Sequence, residues 1–90
     1  KFVESRLLKA REYLEQAESA ANNWTDPDQK VKADNLLRKA NREVHQAWTQ
    51  LRRVRRSDRE TREMANNFAA RMQVYENMIN DLIRINGRRP

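Results

Sequence analysis

The residues of this chain with the clearest chemical potential are arginines near its middle. From position 52 to position 62 the sequence reads RRVRRSDRETR, in which six of the eleven residues are arginine. Guanidinium groups bind phosphates and carboxylates through paired hydrogen bonds, so a polyanion is one expected partner. The members that recur at spacings of three and four, and would line one face of a helix, are Arg52, Arg55, Arg56, Arg59 and Arg62.

The same segment also has a simpler interpretation. Acidic residues interrupt it, and they form opposite-charge pairs four residues apart: Arg56–Glu60, Asp58–Arg62 and Arg59–Glu63. Such pairs stabilise a solvated helix by about 0.2–0.5 kcal/mol each. Helices that enter DNA are usually more purely basic than this one. The segment therefore predicts a solvated, ion-paired helix first, and a contact with nucleic acid or an anionic membrane second.

Other reactive groups are scarce. The chain has no cysteine and a single histidine, His45, which lies on the polar side of an apolar stripe with no second ligand to complete a metal set. Ser57 has no base nearby, and no glycine-rich loop is available to hold phosphates. Trp24 and Trp48 are spaced for helix packing and lie outside the arginine segment. We expect no catalysis, no metal, no cofactor and no small-molecule substrate.

Composition predicts the elements that would position these groups. The chain is 38% apolar and 36% charged, with one glycine and two prolines in 90 residues, and helix-forming residues dominate it. No apolar run approaches the roughly 20 residues that a bilayer span requires. The net charge of +6 suits an acidic partner or simply maintains solubility. We expect one soluble, all-α domain over residues 1–90, excised from a longer protein.

Heptad spacing predicts a coiled-coil hairpin. Apolar residues recur by fours and threes from Val3 to Trp24, which indicates a first helix over about 3–23. Either Thr25 or Asp26 followed by Pro27 is a good helix start, so the chain turns there. In the resulting register small residues face small ones and branched residues face branched ones. The predicted pairs are Ala17 with Ala33, Ala10 with Ala40, Val3 with Ala47, Leu14 with Leu37, and Leu7 with Val44.

The second stripe extends far beyond the reach of the first helix. Its heptad phase passes through Ser57 without a slip, which favours one long helix over about 27–86, on the order of 90 Å in length. The alternative is a three-helix bundle with a turn near Ser57, where Ser57 and Glu60 form a capping box. In the long-helix prediction the distal half presents a broad apolar face that has no partner within the chain.

An unpartnered apolar face normally marks an interaction site. The residues predicted to bind a partner are Met64, Phe68, Met72, Tyr75, Met78, Ile79, Leu82 and Ile83. The leading hypothesis is a non-catalytic helical module for protein–protein interaction and assembly, which pairs with a second copy or with another helical protein. The alternative hypothesis is a helical domain that binds nucleic acid through the face from Arg52 to Arg62. A third hypothesis places that face on an anionic membrane.

Overall fold

Three α-helices account for most of the described chain. The computed structural model describes residues 2–23, 25–55 and 57–88, the side chain of Phe2 excepted. Helix α1 spans Phe2–Asn22, α2 spans Asp28–Arg52 and α3 spans Arg59–Gly87. Over these ranges there is no strand, so the prediction of an all-α fold is confirmed. The three helices form a bundle of 52 × 17 × 15 Å.

The turn between α1 and α2 forms where its residues predict it. Pro27 has a helical φ of −59° immediately before α2. Asp26 Oδ1 accepts a hydrogen bond of 3.0 Å from the backbone N–H of Asp28, while the Thr25 hydroxyl donates to Asn23 Oδ1 instead of capping the helix. Of the two predicted helix starts, the structure is nearer to the one built on Asp26 and Pro27, although α2 begins at Asp28 and its N-cap residue, Pro27, makes no side-chain hydrogen bond.

Alanine lines the contact between α1 and α2. The fully buried alanines of this contact are Ala10, Ala17, Ala21, Ala33, Ala40 and Ala47. Because an alanine side chain is a single methyl group, two backbones lined by alanine can approach closely and remain well packed. Arg6 Nη1 lies 3.0 Å from Glu43 Oε2, and Lys39 Nζ lies 5.9 Å from the Tyr13 ring centre. Both contacts agree with the predicted hairpin register.

The prediction of one continuous helix over 27–86 is wrong, because α2 ends at Arg52 and α3 begins at Arg59. A continuous heptad stripe would have placed Asp58 and Thr61 on the apolar face, where polar groups are costly. In the turn, Asp58 instead caps α3 and its side chain accepts a hydrogen bond of 2.7 Å from the Thr61 N–H. The three-helix alternative is correct in outline, although Asp58 caps the helix in place of the predicted Ser57.

Helix α3 returns along both other helices, antiparallel to α2 and parallel to α1. Near its middle Arg71 Nη1 lies 3.8 Å from Glu4 Oε1, and near its end the buried Asn86 amide donates to Lys30 O and Asp34 Oδ1. The apolar side chains that it buries are Ala65, Met72, Ile79 and Leu82. The distal stripe therefore completes the core of its own chain.

The cap of α3 predicts a pH-dependent contribution to stability. Hydrogen bonds from Thr61, through its backbone N–H first and its hydroxyl second, hold the pKa of the Asp58 carboxyl below its ordinary value of 3.8. A lowered folded-state pKa means that this contribution is present above the unfolded-state pKa and is lost as the pH falls through the folded-state pKa. We expect Asp58→Ala to lower the melting temperature by about 5 °C at pH 7.

Thermal melts followed by circular dichroism at several pH values test this expectation. The difference between wild type and Asp58→Ala should shrink as the pH falls from about 4 through the lowered folded-state pKa, because the wild-type carboxyl becomes protonated over this range. Ser57→Ala is the matched control, since the Ser57 side chain is exposed and does not cap the helix. An equal loss in both variants would show that Asp58 is not the cap in solution.

Candidate functional site

The arginine segment lies at the end of the bundle where α2 turns into α3. Arg52 is the last residue of α2, Arg55 lies in the turn, and Arg59 and Arg62 lie in the first turns of α3. All four are exposed, whereas Arg56 lies outside the described residues. Because the helix is interrupted, these arginines surround a turn and do not line the single helical face that their spacing predicts.

Few of these charges are neutralised within the chain. Arg59 Nε lies 3.0 Å from Glu63 Oε1, which is one of the predicted pairs. The predicted pair of Asp58 with Arg62 is absent, because the Asp58 carboxylate caps α3 instead. Within the described part of the chain Arg52, Arg55 and Arg62 form no ion pair, and neither does Arg53 beside them. The turn therefore carries unpaired positive charge.

This charge continues along the exposed side of α2. From Asn35 to Arg53 no exposed residue is acidic, and the acidic residue of this stretch, Glu43, is partly buried and paired with Arg6. We call the exposed arginine, lysine and histidine residues of this stretch the basic face: Arg38, Lys39, Arg42, His45, Arg52 and Arg53. From end to end the basic face is about 22 Å long. In the described chain none of these residues forms an ion pair.

The other two helices present different surfaces. Exposed residues of α1 are mixed in charge, with Glu12 and Glu15 beside Lys9 and Arg11. Exposed residues of α3 include five amides and a balanced set of charges. The amides are Asn66, Asn67, Gln73, Asn77 and Asn80, and the charged residues are Arg59, Glu60, Arg62, Glu63, Asp81 and Arg84. The net positive charge of the chain is therefore concentrated on α2 and the turn that follows it, and an anion approaching the bundle is attracted to that side.

Two grooves separate α2 from α3. The first, which we call the amide groove, has a volume of about 350 Å³, and its lining includes Leu37, Arg38, Asn41, Ile79 and Asn80. The second, the indole groove, has a volume of about 340 Å³ and is lined by His45, Trp48, Arg52 and Glu76. Each groove therefore has residues of the basic face among its lining residues. On the other side of α2 a depression of about 620 Å³ also borders the basic face, at Lys39.

Trp48 is closer to the arginines in space than the sequence indicates. Its indole packs partly against the core, and its Nε1 donates a hydrogen bond to Glu76 Oε1 of α3. It shares the indole groove with Arg52 and His45. The predicted long helix excludes any contact between Trp48 and residue 76, and only the three-helix alternative permits this groove.

The residues predicted to bind a partner are divided between the core and the surface. Met72, Ile79 and Leu82 are buried inside the bundle, and three others are partly buried against the core: Phe68, Tyr75 and Met78. Met64 and Ile83 remain exposed, at 43% and 52%. Most of the predicted interaction face is thus occupied within the chain, and its role in self-association stays a prediction.

No group of three or more histidine, cysteine, aspartate or glutamate residues in the described ranges is arranged to hold a metal ion. None of the described helices is both long and apolar enough to cross a membrane. Comparisons with protein family models, with curated proteins and with solved structures gave no significant match.

Proposed function

We propose that this chain is a non-catalytic helical binding module that binds the phosphate backbone of a nucleic acid. The observation that carries the proposal is the acid-free exposed surface from Asn35 to Arg53, which continues into the turn at Arg55. Its guanidinium and ammonium groups have no ion-pair partners among the described residues. Such groups bind phosphates and release the cations condensed on them, which drives association at low salt.

The scarcity of large exposed apolar side chains on α2 favours a linear polyanion over a membrane surface as the partner of the basic face. A helix that binds membranes places large apolar side chains beside its basic ones, so that they enter the lipid. Among the described residues of α2, the large apolar side chain that is exposed belongs to Val31, and Val31 lies outside the basic face. The other large exposed apolar residues lie on α1 and α3: Leu8, Met64, Val74 and Ile83, of which Ile83 borders the amide groove with Arg38. A nucleic acid needs only the row of charges, which α2 supplies.

Self-association, the leading hypothesis from the sequence, has less support from the geometry. Its face retains Met64 and Ile83 as strongly exposed residues, and they lie about 28 Å apart along α3. Two separated side chains do not form the continuous apolar patch that a stable homodimer buries. For this reason the basic face, and not the apolar face of α3, is the surface on which the proposed binding function rests.

Neutralising the basic face tests the proposed function. In a variant with Arg38, Arg42, Arg52 and Arg53 changed to Gln, we expect affinity for a fluorescently labelled oligonucleotide to fall on the order of 100-fold at low salt. The slope of log K against log salt should also fall, by about 0.7 for each phosphate of a single strand that the variant no longer neutralises. Fluorescence anisotropy across a salt series measures both quantities.

A matched variant separates the basic face from the net charge. Changing Lys9, Arg11, Arg84 and Arg88 to Gln removes the same charge from exposed positions on α1 and at the end of α3. We expect this variant to retain most of the affinity and nearly the whole salt slope. Equal losses in the two variants would show that net charge alone drives binding. Failure of the wild-type chain to bind any oligonucleotide at low salt would refute the proposed function.

A further inference from the structure

Each of the two grooves between α2 and α3 has an exposed arginine among its lining residues. Arg38 lines the amide groove and Arg52 lines the indole groove, about 21 Å apart along the axis of α2. The remaining lining of the amide groove includes the apolar side chains of Leu37 and Ile79. A ligand that lies along this side of α2 therefore meets one arginine at each groove, together with apolar side chains in the amide groove.

A carboxylate in each groove opposes the entry of phosphates. Asp34 lines the amide groove and accepts a hydrogen bond from Asn86, and Glu76 lines the indole groove and accepts one from Trp48. Carboxylates repel phosphate oxygens, but they accept hydrogen bonds from the amino groups of nucleobases. The amides of Asn41 and Asn80, which also line the amide groove, can both donate and accept. The exposed arginines thus suit phosphates, and the carboxylates and amides that line the grooves suit bases.

Trp48 is the aromatic residue that lines the indole groove. The hydrogen bond from its Nε1 to Glu76 joins the ring to α3, and the side chain is also packed against the core while remaining partly exposed. A ring that is already held loses little freedom when a ligand binds, which favours binding. Aromatic side chains beside basic ones are the usual means by which proteins hold unpaired bases without selecting a sequence.

We infer, on the basis of the proposed function, that the ligand is a single-stranded nucleic acid. Its phosphates lie on the basic face of α2, one of its bases stacks on Trp48, and another enters the amide groove. A duplex cannot bind in this way, because its bases are paired and stacked inside the double helix. The amide groove and the indole groove therefore distinguish a single strand from a duplex, and the basic face supplies most of the affinity.

Three probes separate the parts of this inference: a short mixed-sequence single strand, the duplex of that strand, and inorganic polyphosphate of equal charge. The wild-type chain should bind the single strand more tightly than the duplex at the same salt concentration. Trp48→Leu should weaken binding of the single strand about 10-fold and leave binding of polyphosphate unchanged. Phe68→Leu is the matched control, since Phe68 is a partly buried aromatic residue of α3 that lines neither groove.

A second measurement covers the case in which Trp48→Leu does not fold, which circular dichroism detects. In a Trp24→Phe background Trp48 is the sole tryptophan. Its fluorescence should be quenched by the single strand and not by polyphosphate. Quenching by neither probe while both bind, or tighter binding of the duplex, would overturn the inference and leave the proposed function intact. Absence of binding to every polyanion would instead refute the proposed function, and the inference with it.

Discussion

Replacing Met72 with Glu should unfold the chain at neutral pH, whereas Val74→Glu on the same helix should leave it folded. Met72 is 0% exposed within the core, and Val74 is 54% exposed. An unpaired carboxylate in an apolar core costs several kcal/mol even after partial solvation, in addition to the lost burial of the methionine. A small domain has only about 5–15 kcal/mol of stability in total, and one of this size lies toward the lower end.

Far-UV circular dichroism and thermal melts measure this difference. The comparison is matched because both variants add one negative charge to α3 at positions two residues apart. Sedimentation equilibrium on the same samples separates the bundle from the self-associating rod. In a rod that pairs through this face, Met72→Glu would give helical monomers from a wild-type dimer. A Met72→Glu chain that melts at the wild-type temperature would contradict the closed three-helix core.

The hairpin of α1 and α2 is predictable from the sequence because its signals are local. Asp26 and Pro27 mark the turn within two residues, and the alanine rows mark which faces meet. The second turn is predicted only as the alternative, because the capping box near Ser57 competes with an unbroken heptad phase and with opposite-charge pairs that favour a continuous helix. What decides the turn is the burial of Met72 and Ile79 against helices far away in the sequence. That gain belongs to the tertiary structure and is not apparent in the segment itself.

The candidate site, like the fold, is predictable from the sequence only where its signals are local. Its arginines stand out by their local density, which places the charge correctly at Arg52, Arg55, Arg59 and Arg62. The other residues of the basic face are spaced along the outer side of α2. No acidic residue occupies an exposed position among them. Those residues escape a local search because they are spread over several turns. The grooves and the contact between Trp48 and Glu76 depend on the return of α3, so no local pattern indicates them.

The alanine contact between α1 and α2 leads to the second large effect, which is the loss of stability expected for Ala17→Leu. Ala17 and the predicted opposite residue, Ala33, are both 0% exposed. A leucine at position 17 must be accommodated by separating two helices, because the predicted opposite residue is an alanine, whose single methyl group cannot move aside. Overpacking of this kind costs about 1–3 kcal/mol, so the melting temperature should fall by on the order of 10 °C. Ala70→Leu, at an exposed position on α3, should change it little.

A pair of double variants tests the register of this contact. If Ala17 faces Ala33, then Ala33→Gly creates space for the larger side chain and should recover part of the stability lost in Ala17→Leu. Ala47→Gly is the matched comparison, because Ala47 is equally buried in α2 but lies about 21 Å away along the helix. Each glycine costs about 1 kcal/mol of helix propensity, so the two double variants differ only in where space is made. Equal stability of the two would show that α1 and α2 meet in another register, because coupling between substitutions requires that the two sites touch.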